Sequence, residues 1–102
     1  MITIKNQLIN LVSIENIKDD LMQDIEVETP REVFAEKRSI SQQEFFNAGQ
    51  TDIKPTKCFV IYSHEYNDER FLIYENKKYS IYRTYEKDED IELYCEVRTS
   101  GN

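Results

Sequence analysis

The sequence predicts a mainly β chain, a small antiparallel barrel or sandwich of about six strands with one short helix and a long loop. Three observations lead there. Arg70 to Arg98 reads as three consecutive strands, the last setting Ile91, Leu93, Cys95 and Val97 on one face against Glu92, Tyr94, Glu96 and Arg98 on the other. That is the period-2 pattern of a half-buried strand. Lys57 to Tyr62, KCFVIY, is an apolar run of strand length, suited to a central place in a sheet. A helix-start signal, Ser41-Gln42-Gln43-Glu44, stands among these strand-like segments.

In chain order, residues 5–14 (KNQLINLVSI) carry Leu8, Ile9, Leu11, Val12 and Ile14 and predict a first strand. Glu15 to Asp20 is polar and ends in an Asp19-Asp20 turn, after which Leu21 to Glu28 alternates again. Pro30 has no amide hydrogen for a ladder, which places it at an edge, a bulge or a bend. The strand resumes with Val33 and Ala35 on one face and Phe34 on the other. Ser41 and Glu44 form a capping box, in which the serine hydroxyl accepts from the Glu44 amide and the Glu44 side chain returns to the Ser41 amide. Two turns of helix follow, with Phe45 and Phe46 as packing anchors on the sheet or on a neighbouring chain and Gly49 as the stop. This order puts the helix between the third and fourth strands.

Gln50 to Thr56 is a polar connection with Pro55 near its end, the best candidate for a mobile loop. After KCFVIY, Ser63 to Glu69 is a loop leading back into Phe71 to Tyr74. Glu75-Asn76-Lys77 and Lys87-Asp88-Glu89 are turns, and the strand between them sets Tyr79, Ile81 and Arg83 against Tyr82 and Thr84.

A chain of 102 residues closes one modest core, and a single domain is expected over residues 1–102. Its formal charge is −7, which repels nucleic acid phosphates, and its basic residues do not cluster. No run approaches the roughly 18 apolar residues of a membrane span, and Met1 to Asn6 leads into polar sequence and not into a signal peptide's apolar core. The expectation is a soluble protein, intracellular when made.

The residues that carry chemistry elsewhere are sparse. Cys58 and Cys95 sit inside strands and read as small core residues, and a single His64 has no ligand spacing around it. Asp88-Glu89-Asp90 with Glu92 lacks the glycine turn and spaced oxygens of a calcium loop and reads as a solvated hairpin tip. Seven tyrosines would make a stacking platform only in a positive groove. Arg83 and Arg98 are expected to pair with carboxylates across strands. No base stands beside a serine or cysteine in any motif, so the reading is a protein that is not an enzyme and takes no cofactor or metal.

Several pieces, in their order and spacing, resemble the head closure, or head-tail joining, proteins of long-tailed bacteriophages. They are Val33-Phe34-Ala35-Glu36, Ser41 with Glu44-Phe45-Phe46 and Ala48-Gly49, Phe59-Val60-Ile61, and Tyr79-Ser80-Ile81-Tyr82 followed by Ile91-Glu92-Leu93. The resemblance runs from about Val33 to Arg98. It departs before Lys77, where relatives carry an Asp-Gly type of turn and this chain has Glu75-Asn76. It implies a small β-barrel with a short helix and a long loop, assembled as a ring, usually of twelve copies, in the virion neck after synthesis in the bacterial host cytoplasm. The ring would close the DNA-filled head below the portal or adaptor ring and dock the tail completion or tail terminator protein, with DNA passing through without sequence-specific binding. By the same resemblance Gln50, Thr51, Asp52, Ile53, Lys54 and Pro55 are the ring or channel contact loop. The competing readings are a tail completion protein and a monomeric small-barrel module that binds another protein.

Overall fold

Most strands of this chain bury one face by alternation and the strand Lys57–Tyr62 is buried on both, and the six strands bring their inner faces together by wrapping into a closed barrel. The structure is a computed structural model that describes residues 4–97. Strands β1 (Gln7–Lys18), β2 (Asp24–Arg38), β3 (Lys57–Tyr62), β4 (Phe71–Tyr74), β5 (Lys77–Lys87) and β6 (Asp90–Val97) pair antiparallel in the order β1-β2-β3-β6-β5-β4. β4 then returns to β1 through Asn10 to Val12. One helix, α1 (Gln42–Gly49), and a 3-10 turn (Ser63–Glu65) complete the fold. Among the described residues no helix is long and apolar enough to cross a membrane.

The core gathers around Phe59, whose ring lies 5.0 Å from that of Tyr74 and 6.4 Å from that of Tyr79. Ile9, Leu11, Val33, Ala35, Ile61, Leu72, Ile91, Leu93 and Cys95 fill the remainder. Val33 and Ala35 are buried while Phe34 between them is exposed, as the alternation requires. β3 is buried through Cys58, Phe59, Val60 and Ile61, hence its unbroken apolar sequence.

Three sequence expectations change. Leu21 to Glu28 and Glu32 to Arg38 are not separate strands: β2 runs unbroken from Asp24 and pairs with the whole of β1 through Ala35, so α1 lies between the second and third strands. Pro30 fits inside it, opposite Val12, because β3 pairs with β2 only from Glu36 onward and the proline lies at a free edge. β1 likewise continues through Glu15 to Lys18, with the turn falling at residues 19–23. Finally, a bulge between Ile81 and Arg83 makes Arg83 face Tyr94 on the outer side, although Ile81 faces Cys95 in the core. The extra residue, Tyr82, shifts the alternation by one position.

The β4–β5 turn is held by Glu75 and Asn76, both left-handed at φ 50° and 65°. Two consecutive positive φ values match the right-handed twist of the strands without any glycine. Beyond Val12 the β1–β2 hairpin has no other strand beside it and stands off the barrel as an arm, giving the molecule extents of 52 × 30 × 23 Å. Its tip is organised by Asp19, whose carboxylate accepts from the amides of Leu21 and Gln23 at 2.9 Å each.

Candidate assembly surface

The connection from β2 to β3 carries the helix and loop singled out by the sequence. Ser41 is extended and its hydroxyl accepts from the Glu44 amide at 3.1 Å, which starts α1 as a serine N-cap does. The return half of the capping box is absent. Glu44 instead reaches across to the barrel, where its carboxylate accepts from the Tyr82 hydroxyl at 2.7 Å and from the Arg83 guanidinium. The bulge in β5 explains this, because it leaves Tyr82 and Arg83 together on the outer face under the helix.

The latch is electrostatic as well as geometric. Partial burial works to raise the Glu44 pKa, but the bonds from Arg83 and Tyr82 and the guanidinium charge bring it below the usual carboxylate value. Burial and the bond to Glu44 push the Tyr82 phenol up. Arg83 stacks its guanidinium 4.0 Å from the centre of the Tyr94 ring. Tyr94 in turn donates to Glu92, which shares Arg38 with Glu36. The carboxylate partner of Arg83 is therefore on the helix and not on a neighbouring strand, while Arg98 lies outside the described residues.

Phe45 and Phe46 do not anchor the helix to the barrel. They are 56% and 69% exposed, and Ala48 is the helix residue that is buried. On an eight-residue helix seated by Glu44, the two phenylalanines stand on the side left open. Gly49 ends the helix with open space around it and no left-handed φ; the left-handed residue is Asp52, at φ 63°.

The expected contact loop divides in two. Gln50, Thr51 and Asp52 form an exposed turn, with the amides of Thr51 and Ile53 both bonded to the Ala48 carbonyl. Ile53 is half-buried, Lys54 is exposed and Pro55 is buried, and the Thr56 amide donates to the Cys95 carbonyl at 2.8 Å. The loop is thus tied to the end of β6 before β3 begins.

Cys58 and Cys95 are buried free thiols. Their strands are adjacent, but Cys95 points into the core and Cys58, paired with Tyr94, points outward, so the two side chains lie on opposite faces of the wall. Burial pushes the Cys58 thiol up to about 12, with Glu92 adding to the effect. His64 is exposed on the 3-10 turn and stacks on Tyr62 at 5.7 Å. Asp88 and Glu89 make the β5–β6 turn, and Asp90 pairs with Lys5 at 2.9 Å. Among the described residues no group of three His, Cys, Asp or Glu side chains is placed to hold a metal.

Compared with known proteins, the chain matches no family model and no curated sequence. The arm and the Glu44 latch were not legible as sites in the sequence. Glu44 was visible only as a capping residue, and the bulge that aims Tyr82 and Arg83 at it has no glycine or proline to announce it.

Proposed function

We propose that this chain is a ring subunit of a bacteriophage neck, closing a DNA-filled head below the portal or adaptor ring and giving the tail its docking surface. One observation carries the reading. The connection between β2 and β3 is fastened to the barrel through Glu44, Ala48 and Pro55, yet it leaves Phe45, Phe46 and the turn of Gln50 to Asp52 turned outward. Two large apolar side chains at the open side of so short a helix are what a subunit contact uses and what an isolated barrel has no use for. Support comes also from the match between this arrangement, a barrel with a short helix and a long loop, and the one that the resemblance from Val33 onward implies.

In this reading Phe45 and Phe46 pack against the neighbouring subunit, and Asp52 at the turn presents negative charge toward the channel, which keeps DNA from adhering. Deleting the reading frame from the phage that encodes it and imaging the particles tests the proposal. Heads without tails beside separate finished tails are the expected result. Tailed, infectious particles overturn it.

A further inference from the structure

The two ends of this barrel carry opposite charge. At one end the arm, residues 13–29, holds Glu15, Asp19, Asp20, Asp24, Glu26 and Glu28 against Lys18, a net −5 of the chain's −7. It also exposes apolar surface: Leu21 and Met22 at the tip are 76% and 71% exposed, and Ile17 and Ile25 face each other across the two strands, each a little over two-fifths exposed. At the other end Lys37, Lys57 and Lys77 stand opposite Phe59, Cys95 and Tyr74 in the ladders. Directly opposed residues share a face, and Phe59, Cys95 and Tyr74 all belong to the core. The three lysines therefore occupy interior-facing positions where β2, β3 and β5 meet the mouth of the barrel. The Lys37 ammonium lies 5.6 Å from the centre of the Tyr74 ring, and none of the three has an ion-pair partner among the described residues. Glu75, in the turn before Lys77, brings a carboxylate to that rim.

We infer that the acidic arm of one copy docks on the lysine-bearing mouth of the next, joining copies of this chain head to tail. Charge selects this pairing. Arm against arm would set two segments of −5 together, and edge-to-edge strand pairing is opposed by Glu26, Glu28 and Pro30 along the free edge of β2. At the mouth the ammonium groups meet the carboxylates while the lysine stems and Val97, which is 41% exposed opposite Tyr79, cover Leu21 and Met22. Such a contact uses different surfaces on the two partners and closes into a ring when its rotation permits. The inference rests on the ring reading and deepens it by naming two further surfaces, besides the open side of α1, that join one subunit to its neighbour.

Sedimentation velocity on the purified chain tests it, with two charge-reversed variants. Glu15→Lys/Asp20→Lys/Glu26→Lys reverses arm residues whose side chains make no bond within the described chain, and Lys37→Glu/Lys77→Glu reverses the mouth. The wild type should associate at low salt and dissociate as ionic strength rises past roughly 0.1 M, where the screening length falls to about 10 Å. Each variant alone, shown to be folded by circular dichroism, should associate at least about tenfold more weakly. Mixing the two should restore association, since each then offers the other an arm and a mouth of opposite sign. A wild type that stays monomeric at low salt overturns the contact and leaves the neck reading to its own deletion test. Association that ignores both reversals overturns the contact and leaves the ring standing.

Discussion

Arg31 and Glu69 form the ion pair that closes the barrel where the arm leaves it: the guanidinium lies 2.9 Å from a carboxylate whose side chain is 4% exposed. Arg31 stands opposite Leu11 on the core-facing side of β1 and β2, at the last core step before the arm. Its other contact is the Glu65 carbonyl, and Glu69 also accepts from the Asn67 amide at 2.8 Å. The pair thus ties the β3–β4 loop to the root of the arm. Lys78, bonded to Glu28 at 2.8 Å, makes a second tie from β5.

Removing the cation from this pair should be costly, because the carboxylate stays buried with only backbone amides as donors. Arg31→Ala is expected to lower stability by about 1–3 kcal/mol in urea denaturation. Adding Glu69→Ala should cost less than the sum of the two single changes, since the second removes the group that the first left unpartnered.

The same pair sets a pH dependence. Burial works to raise the Glu69 pKa, but the bonds from Arg31 and Asn67 outweigh it, and the folded value lies below the usual 4.5. A carboxyl with a depressed folded pKa stabilises fully above its unfolded value, and that contribution is lost as pH falls through the folded one. Stability of the wild type relative to Glu69→Gln should therefore be constant near neutrality and shrink below about pH 4.5, measured by urea denaturation across that range. A difference that does not change with pH would remove the carboxylate from the account.

The helix latch predicts a local effect. Glu44 is the side chain that seats α1 on Tyr82 and Arg83, and an eight-residue helix does not hold itself together in water. Glu44→Ala should speed amide exchange across Gln42 to Gly49, while the amides of β3 and β6 keep their protection. Tyr82→Phe should move exchange in the same direction by less, as the Arg83 contact survives it.

The barrel was legible because its signals are local and repeat. Alternation through Ile91, Leu93 and Cys95 records one buried face and the apolar run of Cys58 to Ile61 records two, and neither depends on what lies beyond. What the sequence concealed depends on partners far along the chain. Val27 and Pro30 continue a single strand because β1 extends far enough to pair with them, and the polar stretch of Glu15 to Lys18 gives no hint that it remains a strand. Arg83 was assigned to the wrong face because a bulge costs one residue of register and Tyr82 is as good a strand residue as any. Pattern alone left Phe45 and Phe46 to pack on the sheet or on a neighbouring chain, and it could not show that within one chain a glutamate seats the helix while both rings stay open.

Thiol chemistry gives a check on the wall of the barrel. With Cys58 at 2% and Cys95 at 0% exposure and both thiols pushed up by burial, neither should react with a disulfide reagent in the folded chain. Two equivalents should react once urea unfolds it. Oxidation of the folded protein should give no intramolecular disulfide, because the two sulfurs lie on opposite faces.

Phe45 and Phe46 offer the sharpest contrast between folding and assembly. Since both are more than half exposed, Phe45→Ala/Phe46→Ala should change the urea stability of the isolated chain by no more than about 0.5 kcal/mol per site. Leu93→Ala, at a position with no exposure, should cost about 2–5 kcal/mol in the same assay. On the proposed neck reading the order should invert in its consequence: in a phage that encodes the chain, the stable double phenylalanine variant should give heads that lack tails, because the contact it would remove is one between subunits and not within one. Normal tailed particles from that variant would show that the open side of α1 is not a subunit contact, even though the barrel itself remained sound.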